Sequence, residues 1–444
     1  MKKITDRKKL ILYGCSGMGV NMLTLIVGSY LCSALLVGGF DEHIESWTYL
    51  NRDLVVAGLW AVLVFFAKAL DGFIDLPLAS FADRLNTKFG RRKTALALGF
   101  VPMVIAYLLF LCPIDKEATI LNTVWFGVLL CIFYTFYTLT MLTFYATFSE
   151  VCESEKDTVF LSNIKSVCDV VYFVLGFALI PVFVSIGINV RIIALIFLPL
   201  SLTMLIPFFI LKENEDEGEE KSVRSLTLTE ALKTSFKNGP FIYWMFTTSM
   251  MTIGLQLFLG GINELFSSTG LNMTVVMASS FVPVPFTLIL YNYIVRKKGL
   301  GFAYRYILSI FSVGMIVMYL CNITSDKLSM GQLTLIALLG GIFVSFAIGA
   351  FFSVTYTVPT YLAQRELEKS GKSVATMLFA VQGVFEGVAS GIATGLILVA
   401  LKNYQKISLL PIIVAASCMT AFIMSFAFPK GISYLGKESK TSNR

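Results

Sequence analysis

The sequence predicts an all-α membrane protein of twelve spanning helices arranged as two six-helix bundles. Composition is the first reason. Apolar residues make up 56% of the 444 and charged residues only 14%, too few to coat a soluble domain of this size. Distribution is the second. The charges punctuate apolar runs of about 20 residues or more, the length that crosses a hydrocarbon core about 30 Å thick. Sidedness is the third, because lysine and arginine gather in alternate loops. In lipid the backbone must satisfy its own hydrogen bonds, so the runs are expected to be helices. The strict alternation over about 10 residues that marks a membrane β-barrel is absent.

The twelve helices are expected near 9–38, 54–78, 94–113, 122–148, 160–186, 190–211, 239–267, 273–295, 303–322, 331–363, 374–401 and 407–428. The first follows a basic start, Lys2, Lys3, Arg7, Lys8 and Lys9, which imitates a signal peptide. The apolar run from Leu10 to Gly39 is too long for one and has no early small-residue cleavage site, so it is read as a retained span.

With both termini in the cytoplasm, the inside segments hold that start, then Arg84, Lys88, Arg91, Arg92 and Lys93, then Arg296, Lys297, Lys298 and Arg305. The outside loops hold Arg52, Lys116, Arg191, Lys327, Lys402 and Lys406. The expected location is therefore the inner (plasma) membrane, multi-pass, with the bilayer as a partner. The formal net charge of +7 follows from this topology rather than from nucleic-acid binding.

The longest inside loop runs from Lys212 to Asn238 and carries the acidic stretch Glu213 to Glu220. It is read as a solvated linker. It divides the chain into an N-terminal bundle (1–211), the linker (212–238) and a C-terminal bundle with tail (239–444), six expected helices in each bundle. No sequence identity between the halves is visible, so a repeat rests on helix count.

Of the eight cysteines, Cys152 falls in an inside loop and the other seven in apolar runs, without CxxC or metal spacing. Buried free thiols are expected. The single histidine, His43, lies in the first outer loop, and no nucleophile–base constellation appears, so an enzyme is not expected. No cofactor is expected beyond a coupling ion.

Ionisable groups inside spans are costly and usually face a cavity or a partner. They are Lys68, Asp71 and Asp75 in the second span, Lys165 and Asp169 in the fifth, Glu264 in the seventh and Glu386 in the eleventh. Spacings of three and four place Lys68, Asp71 and Asp75 on one stripe. Two close carboxylates cannot both ionise cheaply, so one takes a proton or a cation sits between them. One lysine against two aspartates leaves surplus negative charge, which favours an ion site over a static lock. Lys165 and Asp169, one turn apart, either neutralise each other or present Lys165 to a solute with Asp169 orienting it. Gln382 lies one turn before Glu386, and both are candidate cavity residues. Glu264, near the outer end of its helix, is expected close to water.

The stretch Asp71-Gly72-Phe73-Ile74-Asp75-Leu76-Pro77, with Asp83-Arg84 and Phe89-Gly90-Arg91-Arg92-Lys93 after it, resembles the glycoside–pentoside–hexuronide:cation symporter family of the major facilitator superfamily. That family carries two aspartates four apart in its second helix, a nearby proline, and a basic loop with an aromatic-Gly-basic turn. The opening Tyr13-Gly14 to Gly19 is similar to the family's start. The resemblance is carried by the N-terminal half and, in the C-terminal half, only by helix pattern.

It implies a major facilitator fold whose halves rock to give alternating access. It implies cation ligands at Asp71, Asp75 and Thr138, with Na+ as the bound ion if coupling is to sodium, and a basic neighbour at Lys68. The family's sugar positions fall on Asn21, Met141, Tyr145, Lys165 and Gln382, where it carries aspartate, aspartate, tryptophan, arginine and lysine. Loss of both aspartates removes their bidentate grip on sugar hydroxyls.

The expected function is secondary active symport of a small organic solute, a glycoside or uronide, driven by Na+ or H+. Sugar transport and sodium ion transport are the matching descriptions. The solute-binding residues are expected among Asn21, Lys68, Met141, Tyr145, Lys165, Asp169, Gln382 and Glu386. The alternatives are a transporter of the same fold for a non-sugar amphipath or organic anion, and a non-transporting sensor or scaffold. The sequence leaves the oligomeric state open, with a monomer as the expectation.

Overall fold

The computed structural model describes residues 3–41, 43–85, 87–152, 155–213, 239–267, 271, 273–325, 327–370 and 375–437. Among these residues there are twelve helices long and apolar enough to cross a membrane. They are labelled α1 (Arg7–Leu35), α2 (Ala57–Arg84), α3 (Arg91–Phe110), α4 (Ile120–Val151), α5 (Glu155–Ser185) and α6 (Val190–Ile210). The second six are α7 (Gly239–Ser267), α8 (Val275–Lys298), α9 (Leu300–Ile323), α10 (Met330–Ser370), α11 (Ala375–Gly391, continuing to Asn403) and α12 (Ile407–Ala427). No strand occurs among the described residues.

Several helices outrun the hydropathy that announces them. The second was expected to end at 78 and continues to Arg84. Ala82, on the added turn, packs with Ala95 of α3 and Leu139 of α4, flanked by Leu78, Leu85 and Phe136. Helix–helix packing holds the added turn of α2, a contribution that a membrane-transfer scale does not read. α4 and α10 likewise extend to Val151 and Ser370.

The chain divides into two compact units, Met1–Val37 with His43–Ser225, and Gly38–Glu42 with Leu226–Arg444. Within the first, α4 packs on α2 and α3, and α1 packs on α5 and α6. Within the second, α10 packs on α8 and α9, and α7 packs on α11 and α12. Each of these four packings has its counterpart six helices later, so a repeat that is invisible as identity is visible in these neighbours.

Small residues let the helices approach closely, because lipid offers no hydrophobic drive for helix association and contact must supply it. At Gly19 of α1 a Cβ would lie 1.9 Å from the carbonyl oxygen of Leu200 in α6, so any larger residue there separates the two backbones.

Two expectations about the loops change. Glu213, the first acid of the expected linker, is half-buried and bonded rather than free in solvent. Its carboxylate accepts from the backbone N–H of Arg92 (3.0 Å) and Lys93 (2.9 Å), capping the first turn of α3. The rest of the linker, 214–238, lies outside the described residues. The cysteines are also not uniformly buried. Cys112 is exposed, Cys15, Cys32 and Cys131 are half-buried, and Cys152, expected in a loop, is buried.

Candidate functional site

On α2 the two faces separate cleanly. Val62, Phe66 and Phe73 are 57%, 56% and 57% exposed and form the lipid face. At about 100° per residue, Lys68, Asp71 and Asp75 fall on the opposite side of the helix. On α4 the same geometry gathers Tyr134, Tyr137, Thr138, Met141 and Tyr145, spaced i, i+3, i+4, i+7 and i+11, on one face.

Where these two faces meet, the Thr138 hydroxyl donates to Asp71 Oδ1 at 2.7 Å. Lys68 Nζ lies 4.0 Å from the centroid of the Tyr134 ring, a cation–π contact worth about 0.5–2 kcal/mol. The buried Tyr134 hydroxyl has no hydrogen-bond partner among the described residues. Among those residues no three His, Cys, Asp or Glu side chains group as a transition-metal site would require. The groups available to an ion are carboxylate and hydroxyl oxygens, the donor set of a hard cation.

A second cluster joins α1, α4 and α5. Asn21 Nδ2 donates to Asp169 Oδ1 at 3.1 Å, and the Tyr137 hydroxyl donates to Asn21 Oδ1 at 3.1 Å. Lys165 and Asp169 form an ion pair, and their side chains remain 24% and 25% exposed. Lys165 Nζ also lies 4.9 Å from the Tyr145 ring centroid. Tyr145 keeps an exposed ring, whereas Met141 is buried and packs towards Gly17 of α1. Lys165 and Asp169 thus neutralise each other and are also tied to α1.

The two clusters share α4 at adjacent residues. Tyr137 reaches Asn21 and Thr138 reaches Asp71. A shift of α4 that moves one contact therefore moves the other.

In the second unit, Gln382 Nε2 donates to Glu386 Oε1 at 2.7 Å, and Gln382 Oε1 accepts from Trp244 Nε1 of α7 at 3.4 Å. Trp244 packs at a tilt against Tyr304 and Phe428, with 5.8 and 5.7 Å between ring centroids. Sequence reasoning missed Trp244, because an apolar indole in a span carries no polar signal until its N–H has a partner.

Glu264 departs most from expectation. It was placed near water, and Lys402 in an outer loop. They form a buried ion pair, Lys402 Nζ to Glu264 Oε1 at 2.7 Å, with side chains 2% and 0% exposed. Lys402 sits in the last turn of α11, and its Nζ lies 4.7 Å from the Phe40 ring centroid. Gly39, at φ +92°, lays its backbone on Glu264, where a Cβ would be 3.0 Å from the glutamate Cβ. Each residue alone reads as an interfacial charge, and only the pairing makes full burial affordable.

The family described as MFS/sugar transport protein matches residues 12–428. A comparison with curated proteins finds no match. Among solved structures, the chain is similar to the nucleoside transporter NupG, with 16% identity, a TM-score of 0.63, and 96% of this chain and 98% of that one covered. It is similar to a bacterial homologue of the human lysosomal transporter Spinster, with 12% identity, a TM-score of 0.60, and coverage of 95% and 96%. It is also similar to a bacterial homologue of the iron transporter ferroportin, with 10% identity, a TM-score of 0.60, and coverage of 95% and 98%. At these identities the likeness carries the fold and not the solute.

Proposed function

The chain belongs to the MFS/sugar transport protein family, and from that premise we propose that it is a secondary active symporter driving a small organic solute with Na+ or H+. The observation that carries the proposal is the Thr138–Asp71 hydrogen bond. It brings a hydroxyl oxygen of α4 to the carboxylate stripe of α2. Asp71 and Asp75 lie one turn apart, and with Thr138 they offer an alkali ion part of its oxygen shell. A proton on one carboxylate would relieve the same repulsion.

In this reading, cation binding at α2 and α4 fixes the Thr138 turn. Tyr137, the preceding residue, then sets Asn21, which holds Asp169. The solute meets the exposed edge of the Lys165–Asp169 pair and the Tyr145 ring. Sugar hydroxyls suit both, since the carboxylate accepts, the ammonium donates, and the ring stacks on an apolar sugar face. A uronide's carboxylate would draw Lys165 from Asp169. Gln382 and Glu386 offer further polar groups in the second unit. This agrees with the resemblance to glycoside–pentoside–hexuronide:cation symporters, with α5 carrying the carboxylate that α1 lacks. Lys165 equally fits a non-sugar organic anion, and a solute panel separates the two.

The experiment is counterflow and gradient-driven uptake in proteoliposomes, with a panel of glycosides, uronides and organic anions, with and without a sodium or proton gradient. Asp71→Asn and Asp75→Asn remove charge and keep shape. Both should lose concentrative uptake while exchange of the solute continues. Normal accumulation by both variants would overturn the cation assignment.

A further inference from the structure

Away from both clusters, a cleft of about 490 Å³ opens in the first unit, lined by Tyr49, Leu108, Leu109, Cys112, Arg191 and Leu195 among others. α3 ends at Phe110 and α6 begins at Val190, so the cleft lies where two spans end, at the level of the lipid headgroups. Leu109 and Leu195 face outward, 39% and 47% exposed. Leu195 is one turn from Arg191 towards the hydrocarbon, about 6 Å along the helix.

The polar groups around the cleft are already engaged, with one exception. Asn189 Nδ2 donates to the carbonyls of Glu45 (2.7 Å) and Thr48 (2.8 Å), and its Oδ1 accepts from the Arg191 backbone N–H (2.9 Å). The Tyr49 hydroxyl donates to the carbonyl of Phe110 at 2.8 Å. Burial pushes that phenol well above its ordinary range, so it stays a neutral donor. The exception is the Arg191 guanidinium. Its carbon stands 5.3 Å from the Tyr49 ring centroid, and its Nε is buried without a hydrogen-bond partner among the described residues. No carboxylate among the described residues pairs with it.

A fixed cation with unspent donors, one turn above an apolar trough open to the bilayer, is complementary to one kind of molecule. We propose that this cleft binds a glycerophospholipid, its phosphodiester on Arg191 and an acyl chain along Leu109 and Leu195. The non-bridging oxygens of the phosphodiester match the planar guanidinium fork. The trough keeps water away from the contact and strengthens it.

The test is a lipid titration of the delipidated, detergent-purified protein followed by native mass spectrometry. The probes are phosphatidylglycerol, phosphatidylcholine and inorganic phosphate. The wild type should bind one molecule of either lipid in a saturable way, and inorganic phosphate should not compete. Arg191→Gln should weaken lipid binding about tenfold or more, the loss of a charge-assisted contact. Leu195→Trp, which fills the trough and leaves the charge, should abolish it. If that variant melts early, Leu109→Phe takes its place. Equal lipid retention by wild type and both variants would overturn the proposal and leave Arg191 a snorkelling side chain. Displacement of lipid by inorganic phosphate would overturn it in favour of a free-anion site.

Discussion

Glu264→Gln isolates the energetic role of the buried ion pair in the second unit. In the wild type, Lys402 Nζ and Glu264 Oε1 are 2.7 Å apart and almost wholly withdrawn from solvent. Replacing the carboxylate by an amide keeps shape and one acceptor and leaves the ammonium without its countercharge. Breaking a buried pair from one side costs about 3–5 kcal/mol. Because the amide oxygen still accepts from Nζ, the lower end applies, about 3 kcal/mol. For a unit of this size 1 kcal/mol moves the melting temperature by about 2–4 °C, so a fall of roughly 6–12 °C is expected. The assay is thermal unfolding in detergent at a fixed scan rate, followed by tryptophan fluorescence, with buried Trp244 reporting on this unit. Glu264→Leu combined with Lys402→Met removes both charges and should recover most of the loss, since an apolar pair escapes the desolvation cost. The reasoning fails if Glu264→Gln melts within about 2 °C of wild type, or if the double variant is as unstable as the single.

Two further outcomes are expected. Thr138→Val removes a hydrogen bond to a carboxylate, worth about 1.5–3 kcal/mol, so cation activation of uptake should weaken roughly tenfold to a hundredfold while Thr138→Ser stays near wild type. Equal cation dependence in the valine and serine variants would remove Thr138 from the site. For topology, Ser46, a natural choice for a label in the first outer loop, is buried, and Ser222 lies outside the described residues, so the exposed Arg52 and Lys88 are the better positions. In a Cys112→Ser background, Arg52→Cys should react with an impermeant thiol reagent in intact cells and Lys88→Cys only after permeabilisation. The reverse pattern would mean that both termini face out.

The spans were legible because hydropathy sums over about 20 residues, and a sum is robust to local detail. The carboxylate stripe was legible because helical spacing alone sets its face. What stayed hidden depended on residues far apart in the chain. Asn21 and Asp169 are bonded across a separation of 148 positions, and Lys402 and Glu264 across 138. A transfer scale weighs each charge against water or lipid and cannot know that another charge awaits it, so Glu264 and Lys402 were both assigned to the membrane surface. The extended end of α2 was missed for a related reason, since Ala82 packs there on Ala95 and Leu139, which lie on other helices. Thr138 was reached only through resemblance, because threonines are frequent in spans and spacing does not single one out.

The assignment of Gly38–Glu42 to the second unit has a consequence for biogenesis. These residues emerge from the ribosome right after α1, yet the Lys402 ammonium that meets Phe40 is made about 360 residues later, roughly 20–70 s at ordinary rates of synthesis. Through that interval the segment waits without its final neighbours while the first bundle is already inserted. The second bundle then closes on a piece of chain laid down before any of its own helices existed. Separate expression of the two halves, cut within 212–238, would have to join that early segment to late helices in trans. Stable docking of this segment is therefore one of the last events in assembly, and it marks the completed transporter apart from a partly translated one.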